Sequence, residues 1–352
     1  MEKPFRFDCA SLISLATDLM TRSGLPEDRA RVVAEVLVEG DLMGHDTHGL
    51  QLLGPYLQSI EEGSMRLEGD PEIVVETPVS FTWDANYLPG PWIVIEALKE
   101  AQARGEEQGV VTGVIRRSHH IACLQAYLLP AVEAGKVLLI ASSDPACQTV
   151  APFGGLKALY TPNPIAMGIP TRGDPILIDI SSSITTNGMV ARHNEKGTPL
   201  PGNWVKTADG EATSDPSALF REPPGSVLPL GGMEYGHKGF GLGIMIEALT
   251  SALGGGGRSK GVENWGASVF LQLIDPAAFG GLEAFLEETT WFQQAARENP
   301  VAPSDPPVRL PGERALSRRR DQLENGLQLE PDVLSSLRSL SRKQNIKIPD
   351  PL

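Results

Sequence analysis

Cysteine is scarce in this chain: three residues among 352, at positions 9, 123 and 147. Three widely spaced thiols make neither a disulfide framework nor a paired-cysteine zinc site, and so little cysteine suits a reducing compartment. Positive charge is also short. Thirty Lys and Arg face 44 Asp and Glu, for a net charge of −14. That balance argues against a nucleic-acid backbone or an anionic membrane as the main partner, although it leaves room for a local basic pocket. No apolar run approaches the roughly 18 residues of a membrane span. The start, Met1 to Asp8, has no apolar segment behind a basic head, so no secretory leader is expected. The expectation is a soluble cytoplasmic protein.

Several familiar site signatures are missing too. The Walker P-loop and the Rossmann glycine fingerprint are not found, and Gly239-Phe240-Gly241-Leu242-Gly243 is only a partial echo of the latter. The Gly-x-Ser-x-Gly elbow and the His-Glu-x-x-His zinc helix are absent. A dinucleotide, if bound, needs another scaffold.

What the chain does have is length and turns. At 352 residues it is one large two-lobed unit or two domains. Apolar residues at 41% and charged residues at 21% permit a packed core. Glycine (37) and proline (29) announce many loops. Leu12, Ile13, Leu15, Ala16 and Leu19 recur at helical spacing, and Gly24 can end that helix. A second helix is expected from Pro26, and another near Trp92–Glu107. Strands are expected at Val110–Ile115 and Val137–Ile140, with a helix from Ala122 to Ala134 between them. That order suggests a βαβ unit. Pro175–Ile180 reads as a strand ending in an acid and serines. Gly197 to Pro216 reads as an exposed loop. Helices are expected over Gly239–Leu253, Glu283–Glu298, Arg314–Leu323 and Val333–Arg342.

Chemistry concentrates in a few places. His45-Asp46-Thr47-His48 holds two of six histidines. A hydroxyl beside an imidazole can orient it for proton transfer. The same four residues can be a plain helix-end turn. A metal site of His45, Asp46 and His48 would need distant ligands that the sequence does not identify. Arg116-Arg117-Ser118-His119-His120 follows a strand, where a nucleotide phosphate or a substrate carboxylate would suit it. It can also be a solvated basic turn with His120 in the core. Asp179 can hold a ribose hydroxyl, orient a histidine, or cap a turn. Lys238, in Gly236-His237-Lys238-Gly239, is a candidate phosphate or ribose contact or an exposed turn lysine.

Taken in order, these pieces resemble the malate/L-lactate dehydrogenase type 2 oxidoreductases, a family that includes ureidoglycolate and sulfolactate dehydrogenases and the Δ1-piperideine-2-carboxylate/Δ1-pyrroline-2-carboxylate reductases. Gly44-His45-Asp46-Thr47-His48-Gly49 is similar to its Gly-His-Asp-Ser/Thr-His-Gly loop. Arg116 to His120 is similar to its Arg-Asn-Ser-x-His segment. Ile178 to Ser183, His237 to Leu242 and Leu310-Pro311-Gly312-Glu313-Arg314 continue the series.

The resemblance implies an α/β, non-Rossmann, L-sulfolactate dehydrogenase-like fold, with a mixed sheet and helical N- and C-terminal segments. It implies one family unit over residues 1–352. Within it, 1–75 plus 300–352 would form a helical lobe, and 76–299 a cofactor- and substrate-binding α/β lobe. It implies a homodimer, a small-molecule substrate, NADH or NADPH as cofactor, and no metal. The implied reaction is hydride transfer between nicotinamide and C2 of a small 2-oxo, 2-hydroxy or cyclic 2-imino acid. Residue by residue, it makes Thr47, His48 and His120 catalytic. His120, Ile121, Ala122, Cys123, Leu124, Asp179, Ile180, Ser181 and Lys238 would bind cofactor. Arg116, His119 and Asn163 fall to the substrate side.

The sequence also departs from the pattern. Leu52 stands where the family usually has its carboxylate-clamping arginine. Pro162 stands where it has a substrate-contacting threonine. Met189 replaces an acid that supports the histidine in the reductases. The alternative is therefore a dinucleotide-binding homologue with altered substrate or lost turnover. A metal-dependent hydrolase using His45, Asp46 and His48 is a third reading. The arginines at 314–320 could meet the 2′-phosphate of NADPH or form a solvated helix face.

Overall fold

The computed structural model describes residues 5–352. Met1–Pro4, on which the expectation about a leader partly rests, lie outside them. The centre is a seven-stranded mixed sheet: β1 (Glu72–Thr77), β2 (Ser80–Asp84), β3 (Val110–Ser118), β4 (Val137–Ser143), β5 (Pro164–Ile169), β6 (Ile176–Ser181) and β7 (Ala267–Ile274). Their spatial order is β1-β2-β3-β7-β4-β5-β6. Only β2 and β3 pair in parallel; the other neighbours are antiparallel. The fold is thus the mixed α/β sheet expected.

Both faces of the middle strands are covered, so apolar residues run almost without interruption and alternate between two cores. Val111, Ile115, Leu138, Ile140, Val269 and Leu271 belong to the main core, which draws residues from Phe7 through to Leu337. Val114, Ala141 and Phe270 face the other way and meet Ile246. Ile246 lies on the helix Gly232–Glu247. The helix Gly90–Gln108 contributes Ile93, Val94, Ala97 and Leu98 to the main core.

The chain ends build one layer. The helix Cys9–Arg22 is capped by Asp8, whose carboxylate accepts from the Ser11 N–H at 2.8 Å. Gly24 turns the chain at φ 104°, and Pro26 stands just before the helix Glu27–Leu42. The helices Glu313–Asn325 and Pro331–Gln344 flank the short strand Leu327–Gln328, which pairs with Arg6–Phe7. The lobe boundary drawn at residue 75 falls inside β1.

Three expectations need correction. The segment Ala122–Ala134 is no continuous helix: a 3-10 turn, Leu124–Tyr127, precedes a five-residue helix, Leu129–Glu133. Ala122 takes a left-handed φ of 58°, and Pro130 has no N–H to give. The expected βαβ pair, β3 and β4, does run parallel, but β7 lies between the two. The exposed loop over 197–216 holds strands Val205–Lys206 and Ala212–Thr213. With Ser226–Val227 they form a small sheet over a separate core of Val150, Tyr160, Val190, Leu200, Val205, Ala218 and Val227.

Candidate active site

The histidine loop hangs from the end of the helix Glu27–Leu42. Asp41, buried in its last turn, accepts the Leu50 N–H at 2.7 Å and so closes the loop from beneath. Burial, above all, pushes the Asp41 carboxyl up to about 8. Within the loop the His48 N–H donates to the His45 carbonyl at 2.7 Å. Thr47 Oγ1 lies 2.8 Å from His48 Nδ1. That contact fixes the ring and leaves Nε2 for other partners. Burial pulls the His48 pKa down to about 4, and the charge of His45 adds to the effect.

His120 faces this loop from the turn after β3. The two imidazole centroids are 6.0 Å apart and 28° from parallel. The Ala122 N–H donates to His120 Nδ1 at 3.3 Å, and the Tyr56 hydroxyl is 3.0 Å from both Nδ1 and the His120 carbonyl oxygen. With Nδ1 accepting, this bonding assigns the proton of neutral His120 to Nε2. Trp265 stacks on the other face of the ring at 4.8 Å. Burial, with His48 and His119 nearby, holds the His120 pKa well below the usual value. Gly90 makes the close approach possible, since a Cβ there would sit 2.2 Å from the His120 carbonyl oxygen.

His119 points elsewhere. It is fully buried between Tyr56 and Trp265, and neither ring nitrogen has a hydrogen-bond partner. Burial lowers its pKa to about 4. In the unfolded chain it takes a proton near pH 6.5, which the native state refuses until about pH 4. Stability from this group is therefore present above pH 6.5 and is lost on acidification through that window. Relative to the His119→Phe variant, the wild type should lose about 1 kcal/mol between pH 6.5 and 5.5. Urea midpoints at the two pH values measure it; equal losses in both proteins would refute the assignment.

The stretch 121–125 and the end of β6 come together. Asp179 accepts the Gln125 N–H at 3.1 Å and the Cys123 thiol at 3.9 Å. Burial raises the Asp179 pKa, partly countered by His45. His45 Nε2 also meets the Gln125 amide oxygen. Potential ligand atoms of His45, Cys123 and Asp179 lie within 4.8 Å of one another. This grouping differs from the His45–Asp46–His48 trio considered from the sequence, and its polar atoms are bonded to one another or to Gln125. Ile180 is exposed, and the Ser181 hydroxyl donates to the Ser183 carbonyl.

A cleft of about 580 Å³ opens beside these groups. His45, Asp46, Gln125 and Asp179 line it together with Arg309, Arg314 and Arg318. Arg318 is paired with Asp46 at 2.9 Å. The cleft fits a dinucleotide in kind: an acid for a ribose hydroxyl and guanidinium groups for phosphate.

Other expected site residues make their contacts elsewhere. Arg116 donates to Asp84 at 2.8 Å and to the Gly254 carbonyl at 3.3 Å. Asn163, fully buried at φ 46°, donates to Glu247 at 3.0 Å and accepts from Thr161 at 2.7 Å. Lys238 is exposed on the helix Gly232–Glu247, with its nitrogen 5.4 Å from the Tyr235 ring. Tyr56, Gln125 and Trp265 were not singled out in the sequence. Each reaches the site through tertiary contact, and no local motif marks it.

A family model described as malate/L-lactate dehydrogenase matches residues 7–338. An L-lactate dehydrogenase from Cupriavidus necator is 31% identical over 351 residues, covering 98% of this chain and 99% of its own. A Δ1-pyrroline-2-carboxylate reductase from Ancylobacter novellus is 30% identical over 352 residues, covering 97% of this chain and 98% of its own. The solved malate dehydrogenase of Pyrococcus horikoshii superposes with a TM-score of 0.89 at 26% identity, covering 99% of this chain and 98% of its own. With sequence and fold agreeing over almost the whole length, the chain belongs to the malate/L-lactate dehydrogenase family of oxidoreductases.

Proposed function

We propose that this protein transfers hydride between NADH or NADPH and C2 of a small 2-oxo, 2-hydroxy or cyclic 2-imino acid. The observation that carries the reading is the His48–His120 imidazole pair beside a cleft bounded by Asp179 and three arginines. A reduced nicotinamide, when bound, supplies the hydride. Every other task falls to side chains of the chain. His48, oriented by Thr47, exchanges the proton at the substrate's C2 oxygen or nitrogen. Burial keeps it neutral at pH 7, the form that accepts a proton from a 2-hydroxy acid. In the reducing direction, a bound anionic substrate raises its pKa and favours the protonated donor. His120, held by Tyr56 and the Ala122 amide, positions the reacting group. Asp179, with the 121–124 turn beside it, would hold the ribose, and Arg309 and Arg314 would supply charge for phosphate. Arg116, His119, Asn163 and Lys238 stay in the proposal as outer positions.

The relatives named malate dehydrogenase, L-lactate dehydrogenase and Δ1-pyrroline-2-carboxylate reductase support this substrate range. Ile244, Met245 and Leu253 are exposed apolar side chains at the end of the helix Gly232–Glu247 and just after the turn that follows, which favours the proposed homodimer. No helix among the described residues is long and apolar enough to cross a membrane; a cytoplasmic place remains part of the proposal.

The test follows loss of reduced-nicotinamide absorbance with purified protein. NADH and NADPH are each offered with pyruvate, oxaloacetate, larger 2-oxo acids and the five- and six-membered cyclic 2-imino acids. Turnover on at least one member is expected. Dinucleotide binding with silence across the panel would favour the second reading, a homologue with altered substrate or lost turnover, which Leu52, Pro162 and Met189 motivate.

A further inference from the structure

The helix Asn187–Glu195 lies over the histidine loop. Thr186 caps it, accepting the Met189 N–H at 3.2 Å. Gly188, in its first turn, lies so close that a Cβ there would come 3.2 Å from the Thr47 Cβ. One turn on, the Arg192 guanidinium donates to the Gln51 amide oxygen at 3.1 Å. Gln51 adjoins Leu52, the position where the resembling sequences carry their arginine. A guanidinium from a different element thus stands beside the residue that precedes that position.

Arg192 is not neutralised there. Among the described residues it has no carboxylate within 4.0 Å. Asp41, whose carboxyl feels the Arg192 charge, is pushed up to about 8, chiefly by burial, and so is mostly protonated at neutral pH. Asp46 is taken by Arg318. One of five N–H donors of Arg192 is spent on a neutral amide. Asn187, which opens the helix, keeps its Oδ1 buried without a hydrogen-bond partner. A charge and a free fork of donors therefore lie beside the turn that follows the His48 loop.

We propose that Arg192 clamps the substrate's carboxylate at the His48 site, an assignment that rests on the reductase reading above. The planar fork of an arginine matches a carboxylate with two parallel hydrogen bonds. It commits the substrate class to acids whose carboxylate is adjacent to the reacting carbon. The competing role, a surface arginine that merely ties helix to loop, predicts no change in substrate affinity.

The experiment titrates oxamate, an inert isostere of a 2-oxo acid, into protein saturated with reduced dinucleotide, by calorimetry. It compares wild type, Arg192→Gln, Arg192→Lys and the double variant Arg192→Gln/Leu52→Arg. Arg192→Gln should weaken oxamate by about 10- to 100-fold and raise KM for the best 2-oxo acid alike. Dinucleotide affinity should hold, which shows the site is folded. Arg192→Lys should recover part of the loss, and Leu52→Arg in the Gln background should recover more. Equal oxamate affinity in wild type and Arg192→Gln would overturn the clamp. So would a wild type that binds dinucleotide but no oxamate. A wild type that binds neither dinucleotide would bring down the reductase reading itself, and the clamp with it.

Discussion

Replacing His48 by alanine will lower kcat by about 10²- to 10⁴-fold, the range lost when a positioned proton-transfer group is removed. The protein will still fold, because His48 lies on a loop and its ring belongs to none of the apolar cores. The proton exchanged at the C2 heteroatom has no equally placed carrier. His120 commits Nδ1 to the Ala122 amide and to Tyr56. Thr47→Val should cost less, about 10-fold, since it removes only the partner that orients the ring. The pH profile adds a signature. A protonated donor is required for reduction, so kcat of the wild type should fall with rising pH above the His48 pKa in the substrate complex. His48→Ala should flatten that slope. Steady-state rates with circular dichroism melts decide it. Near-normal turnover by a folded His48→Ala protein would remove His48 from the chemistry.

The largest effect on stability should come from Asp84→Ala. Asp84 ends β2, is buried, and receives Arg116 and Arg117 together at 2.8 Å, with the Asn86 N–H at 3.1 Å. Burial alone would raise its pKa. The hydrogen bonds from Arg117, Asn86 and Arg116 outweigh that and hold it below the usual carboxylate range. Removing the carboxylate strands two guanidinium groups against a left-handed turn at Asn86 and Tyr87. The cost should be about 3 kcal/mol, at the low end for a broken buried pair because Arg117 is partly hydrated. The sign with pH follows. A depressed carboxyl contributes stability above its unfolded pKa near 3.9, and loses it as pH falls through the lower native value. Urea unfolding at pH 7 measures the difference. A midpoint within error of wild type would show that Asp84 anchors nothing.

How far the sequence could be read depended on range. Helices with local punctuation were legible: Gly24 and Pro26 bound the first two, and the apolar spacing found Leu282–Arg297 to within a residue. The histidine loop was legible because its chemistry lies within six consecutive residues. The sheet order was not, since β7 is more than 100 residues from the strands it separates and nothing in its own pattern names its neighbours. The small sheet was missed because two-residue strands have no periodicity. Arg116 looked free to meet a ligand. The structure gives it to Asp84, 32 residues earlier, a pairing that only the β2–β3 register creates. Tyr56, Gln125 and Trp265 share that reason: each enters the site along a path the chain does not spell out locally.

The place of β7 has a consequence for how the chain is made. Synthesis delivers β1–β3 first and β4–β6 next, as two three-stranded halves that pair with each other nowhere. The strand that joins them begins at Ala267 and ends at Ile274. Until it leaves the ribosome, β3 and β4 each offer an open, apolar edge. A nascent chain stalled before that point would be sticky rather than merely inactive, and a release after it would let one strand close both edges at once.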